Sequence, residues 1–130
     1  MANEMVVDAS VVIAALRGEP LQPWVFERLA SAMICAANYA EIITYVAKLD
    51  DPNKELRALI GEFELQVVSL DQDRAAMAGE LAPRTSSSGL SLGDRCCLSL
   101  ARRLGLPALT TDRAWIKIAD LVGVRVELAR

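Results

Sequence analysis

Five short apolar runs recur through the chain, at residues 4–7, 33–36, 65–69, 108–111 and 124–128, and helical patterns fill the stretches between them. This alternation constrains the fold more than any other feature. Strands joined by helices run parallel, because a helical crossover returns the chain to the same end of the sheet. Runs such as Met5-Val6-Val7, apolar at every position, suit strands buried on both faces. The reading is an α/β fold, a three-layer sandwich whose central parallel sheet has about five strands. Helices are expected over 9–17, 22–32, Asn38 to Leu49, Pro52 to Phe63, Asp71 to Leu81, 92–104 and 113–121. Residues 83–91 (Pro-Arg-Thr-Ser-Ser-Ser-Gly-Leu-Ser) read as a mobile loop. A chain of 130 residues, 53% hydrophobic, can fill a core, and no repeat or linker divides it. Residues 1–130 are expected to form one domain.

The chain has no histidine. That excludes a His-activated serine or cysteine nucleophile, a His general base and any His metal ligand. Cys35, Cys96 and Cys97 are too few and too oddly placed for a disulfide framework, and are expected to be reduced thiols packed as small apolar groups. Net charge is −3, unevenly distributed: residues 1–90 carry 7 basic and 13 acidic side chains, residues 91–130 carry 7 and 4. The second stretch can face an anionic ligand. Met-Ala-Asn-Glu-Met at the N-terminus lacks the basic and apolar regions of a leader, and no run approaches the length of a membrane span. The expectation is a cytoplasmic protein without a membrane partner.

Four acids sit at the edges of apolar segments: Asp8 after the first run, Glu41 and Asp94 in the opening turns of helices, and Asp112 after the fourth run. Each has a plain explanation in helix capping. Asp8 and Asp112 can be N-caps, and Asn38 with Glu41, like Ser91 with Asp94, has capping-box spacing. Asp71 is read as a simple cap. Taken together, the four can also converge, since the carboxyl ends of parallel strands and the starts of the following helices share one edge. Converging carboxylates repel unless a cation lies among them. With oxygen ligands and no histidine, that cation would be Mg²⁺ or Mn²⁺ rather than zinc. Such an ion can activate water and stabilise phosphoryl charge. Spacing alone leaves capping and metal binding both open.

The runs Val-Val-Asp-Ala-Ser (6–10), Ala-Asn-Tyr-Ala-Glu-Ile (37–42), Leu-Ser-Leu-Gly-Asp-Arg-Cys-Cys-Leu-Ser-Leu-Ala (90–101) and Ala-Leu-Thr-Thr-Asp-Arg-Ala-Trp (108–115) resemble the four motifs of PIN-domain ribonucleases. The closest resemblance is to the VapC toxins of toxin–antitoxin systems. It covers the whole chain in order. It implies a PIN-like α/β/α sandwich and a metal-dependent endoribonuclease that cleaves RNA phosphodiester bonds with metal-activated water. Asp8, Glu41, Asp94 and Asp112 would be the catalytic and metal-binding acids, with Ser10 and Thr111 as their polar supports. The cofactor would be Mg²⁺, with Mn²⁺ an alternative. The partners would be an RNA substrate, a VapB-type antitoxin that inhibits the enzyme, and a second copy in a homodimer. The chain departs from the pattern in one place. No fifth acid stands in the first turn after Asp112, where Arg113, Trp115 and Ile116 lie, and Asp120 comes later.

Arg95 and Arg113, each directly after a site acid, are the best candidates for RNA phosphate contacts; Arg102, Arg103 and Lys117 are weaker ones. Trp24, Val25, Phe26, Tyr45 and Val46 offer an apolar flank for an antitoxin segment whose Arg or Lys enters the acidic crevice, or they are core. Two other readings stand beside the nuclease. A phosphatase of the haloacid-dehalogenase kind would use Asp8 as nucleophile, but needs a second Asp where Ser10 stands. A binding module would keep the fold without catalysis. A dinucleotide fold lacks its Gly-x-Gly-x-x-Gly after the first strand.

Overall fold

The computed structural model describes residues 4–130, so Met1 to Asn3, the start of the stretch read for a leader, lie outside the described residues. In chain order the elements are β1 (Val6–Val7), α1 (Ala9–Leu16), α2 (Trp24–Leu29), β2 (Met33–Cys35), α3 (Ala36–Ala47), α4 (Glu55–Glu62) and β3 (Gln66–Val68). There follow α5 (Gln72–Glu80), α6 (Ala82–Thr85), α7 (Leu92–Leu104), β4 (Ala108–Thr110), α8 (Trp115–Val122) and β5 (Val126–Leu128). All five strands are parallel, in the order β3-β2-β1-β4-β5. The α/β/α sandwich expected from the sequence is the fold observed.

Strand alternation builds two cores on the two faces of this sheet. Met5, Val7, Ile34 and Leu109 pack against α1 to α4 through Val12, Leu29, Ile42 and Ile60. Val6, Cys35 and Ala108 pack against α5, α7 and α8 through Ala78, Leu98, Trp115 and Ile118. Val25 and Val46 are buried in the first core, with Trp24 and Tyr45 packed partly buried beside them. Of the five residues read as a possible apolar flank, only Phe26 is exposed. All three cysteines are free and buried, as expected of packing thiols. No helix among the described residues is long and apolar enough to cross a membrane.

Three local expectations are corrected. Residues 83–91 are not an open loop: α6 and a 3-10 turn at Ser86–Ser88 occupy most of them. The buried Thr85 hydroxyl, donating to the Leu81 carbonyl at 2.9 Å, fixes that turn against α5. The fourth helix starts at Glu55 rather than Pro52, because Lys54 takes a left-handed conformation (φ 55°) and the Asp51 carboxylate accepts the N–H groups of Glu55 and Leu56. The third helix opens at Ala36, directly after β2, so Asn38 is a buried residue inside it and not its cap. Asp71 caps α5 as read, accepting the Arg74 N–H at 2.9 Å.

Burial predicts an asymmetry between a central and an edge strand. Leu109, 0% exposed on β4, should cost about 3 kcal/mol when cut to Ala. Val67, 45% exposed on edge strand β3, should cost less than about 1 kcal/mol. Urea denaturation of the two variants measures the difference; equal losses would contradict the burial assigned to these strands.

Candidate metal centre

The sheet reverses its winding between β1 and β4, the neighbouring strands from which connections run outward on opposite faces. A crevice opens at the carboxyl end of such a pair, because the helices that follow diverge. Asp8 is the first residue beyond β1, its N–H still bonded to the Leu109 carbonyl at 2.9 Å. It occupies the N-cap position of α1, but its side chain makes no cap bond. Its Oδ2 instead accepts hydrogen bonds from the hydroxyls of Ser10 at 2.7 Å and Thr110 at 3.1 Å. Ser10 Oγ accepts the Thr111 N–H at 3.2 Å, and Thr110 Oγ1 accepts the Asp112 N–H at 3.1 Å. Both hydroxyl protons are directed to Asp8, so the 3.4 Å contact between the two hydroxyls adds no further bond. The side chain that reaches Asp8 from β4 is therefore Thr110, while Thr111 contributes only its main chain. Strand register is the reason: Val7 pairs with Leu109, which sets Asp8 beside Thr110.

Glu41 and Asp94 approach from two helices. Asp94 forms a reciprocal capping box with Ser91 at the start of α7, its Oδ2 accepting the Ser91 N–H at 3.0 Å. The buried Asn38 amide donates to Glu41 Oε1 at 2.8 Å and to the Gly93 carbonyl at 3.0 Å, pinning α3 against the first turn of α7. Gly93 admits this approach because it has no side chain: a Cβ there would lie 2.5 Å from Glu41 Oε1. Asn38, considered from sequence only as a cap, is thus the residue that holds Glu41 beside Asp94. Its polar side chain among apolar neighbours was the available signal.

The electrostatics follow from this packing. Asp8 is raised to about 6, first by burial and then by the charges of Asp94 and Glu41, against the lowering effect of the Ser10 and Thr110 bonds. Asp112 is exposed at the rim, with Oδ1 accepting the Ala114 N–H at 2.9 Å. Asp94 and Glu41 thus lie close enough for their charges to act on Asp8, and Thr110 links Asp112 to Asp8. Arg95 donates to the Ala78 carbonyl on α5 at 3.4 Å, and Arg113 is exposed beside Asp112.

All four acids share one property. Each uses a single carboxylate oxygen for hydrogen bonds (Asp8 Oδ2, Glu41 Oε1, Asp94 Oδ2, Asp112 Oδ1), and the other accepts none among the described residues. Capping and ligation are therefore compatible in the same residue. The ligand shell is not closed as it stands: among the described residues, no three His, Cys, Asp or Glu side chains converge on one point. The donor chemistry nonetheless fits a hard divalent cation. Each of the four acids keeps one carboxylate oxygen without a hydrogen bond, and like charges already act on Asp8. The nearby thiols are poor competitors, because burial pushes Cys96 up to about 11 and Cys97 well above its ordinary value.

Asp8 also imposes a pH dependence on the ion-free protein. The folded state keeps this proton to about pH 6, and the unfolded chain releases it near pH 4. Between those values the folded state binds more protons, so stability present below pH 4 is lost as pH rises through 6. The loss amounts to about 3 kcal/mol at pH 7. In chelator, Asp8→Asn should melt near the parent at pH 4 and on the order of ten degrees above it at pH 7. A melting-temperature gap that stays constant from pH 4 to pH 7 would refute the raised Asp8.

Comparison with known proteins agrees with the fold. The PIN domain family model matches residues 5–121. Among solved structures, VapBC2 of Rickettsia felis bound to a promoter DNA fragment is similar at TM-score 0.77 and 18% identity, covering 98% of this chain and 99% of that one. DNA-bound VapBC of Salmonella typhimurium is similar at TM-score 0.77 and 21% identity, covering 98% of each chain. VapBC-5 of Mycobacterium tuberculosis is similar at TM-score 0.63 and 21% identity, again covering 98% of each. The comparison with curated proteins returns no match. At these identities the structures speak for the fold, and the family model spans most of the chain: this protein belongs to the PIN domain family.

Proposed function

We propose that the chain is a metal-dependent endoribonuclease, the toxin of a type II toxin–antitoxin pair. The observation that carries this reading is the group of Asp8, Glu41 and Asp94 at the β1/β4 switch point, each with an oxygen left open, in a PIN-family chain without histidine. Membership of the family supports hydrolysis of phosphodiester bonds. The similarity to VapBC complexes supports a VapB-type antitoxin as partner; a homodimer and a cytoplasmic setting belong to the same reading.

In this reading Asp8, Glu41 and Asp94 hold Mg²⁺ or Mn²⁺, and Asp112 completes the set from the rim. When bound, the ion supplies a Lewis acid that lowers the pKa of water and offsets charge on the phosphoryl oxygens. The protein's own groups do the positioning. Ser10 and Thr110 fix the Asp8 rotamer so that Oδ1 stays directed away from its hydrogen-bond donors. Asn38 fixes Glu41 against Gly93. With no histidine present, the ionised carboxylates are the available bases. Arg113 and Arg95 stand next to site acids and would hold the RNA phosphates. An antitoxin that inserts a cationic side chain would compete for the same carboxylate oxygens.

Two experiments test the reading. Asp8→Asn and Asp94→Asn should each lower RNA cleavage by several orders of magnitude, and chelator should do the same to the parent. Full activity under any of these conditions would sink the proposal. Glu41 is tested from two sides. Glu41→Gln keeps the Asn38 hydrogen bond and removes the charge, while Gly93→Ala keeps the charge and displaces it. Both should weaken Mn²⁺ binding, read by titration calorimetry, at least about tenfold with melting temperatures nearly unchanged. Unaltered Mn²⁺ affinity in both would return Glu41 to a purely structural role.

A further inference from the structure

A second set of charges lies outside this site. Arg95, Ser99, Arg102 and Arg103 stand at i, i+4, i+7 and i+8 on α7, and so form one stripe. The stripe faces α5 and α6. Ser99, Arg102 and Arg103 line an open trough of about 790 Å³, with Arg84 and Glu80 across it. The trough continues through Met77, Ser99 and Arg103 to a narrow, nearly filled pocket walled by Arg74. Cys35 and Cys96 line that pocket, and the Glu41 charge reaches Cys96. Arg74 Nε is buried without a hydrogen-bond partner. Arg84, Arg95, Arg102 and Arg103 make no ion pair among the described residues.

In a chain of net charge −3, this concentration of guanidinium groups, opposed by Glu80 and by the Asp71 that pairs with Arg74, is not a consequence of general basicity. Guanidinium forks match phosphate oxygens two at a time. The trough has no aromatic lining on which bases could stack, so it suits a backbone rather than a base sequence. From Asp94 to Arg102 is about 12 Å along the helix axis, the span of a few nucleotides. A two-fold contact with a second copy centred here would set these arginines against themselves.

We propose that the α5–α6/α7 seam is a phosphate-tracking trough that holds the RNA strand a few nucleotides from the acidic edge. The proposal rests on the nuclease reading for the identity of its ligand.

The test measures binding without cleavage. The full chain carrying Asp8→Asn is titrated against a labelled 20-nucleotide single-stranded RNA of mixed sequence, by fluorescence anisotropy at several salt concentrations. Adding Arg102→Ala with Arg103→Ala should weaken binding at least tenfold and lower the salt slope by about 1.4, or 0.7 per lost phosphate contact. Arg84→Ala alone should lower the slope by about half as much, and it keeps the test decisive if the double variant folds poorly. Arg57→Ala, on α4 in the opposite layer, should change neither. Unchanged affinity and slope in the double variant, or an equal effect from Arg57→Ala, would overturn the trough. So would loss of binding to a polyglutamate peptide with none to RNA, which would assign the seam to an acidic protein segment. If the parent cleaves RNA and the trough variants bind and cleave equally well, the trough fails and the nuclease stands. If the trough variants lose RNA binding in a chain that never cleaves, the trough stands and the nuclease reading fails.

Discussion

A carboxylate buried at the seam of a reversing sheet governs the arrangement described above. Asp8 sits where the chain turns from β1 into α1, 6% exposed, with two other acids acting on it. A protein selected only for stability would place an amide or a hydroxyl there. Instead the surroundings are built to keep the charge in place: two hydroxyls converge on one oxygen, and each hydroxyl is itself oriented by a main-chain N–H from the segment after β4. The sheet thereby fixes the carboxylate through four hydrogen bonds and leaves one oxygen uncommitted. Cost and rigidity at one point are the usual mark of a functional site.

The same division appears at the other three acids. Asp94 ties down the start of α7, Asp112 the turn before α8, and Glu41 the contact between α3 and Gly93. One oxygen in each stabilises the local backbone while its twin stays open. A choice between cap and ligand, which the sequence spacing presents, therefore dissolves once the oxygens are considered separately. Removing such a residue would affect both helix geometry and chemistry, so an isosteric amide is the more informative change.

The layers and the alternation of strands and helices along the chain were legible in the sequence, because apolar periodicity and punctuation by Asp, Gly and Pro are local signals. Register was not. Whether Thr110 or Thr111 faces Asp8 depends on how β1 lies against β4, a contact across 102 residues that no local pattern carries. Asn38 was misjudged because capping spacing is also the spacing of two residues on one helix face. The segment 83–91 looked flexible by composition, and a single buried Thr85 hydroxyl decides otherwise. Lys54 in a left-handed conformation shortened the fourth helix, an outcome that neither its propensity nor Pro52 suggests.

The long reach of the Asp8–Thr110 bond also bears on how the molecule comes into being. During synthesis Asp8 leaves the ribosome 102 residues ahead of Thr110 on its supporting strand β4. Until then β1 can pair with β2 alone, and the crevice has only one wall. Local contacts form first and non-local ones close late. The nascent chain thus carries Asp8 and Glu41 with the edge unassembled until β4 has been made. Contact order here acts as a timer, keeping the acidic edge incomplete until β4 has joined the sheet.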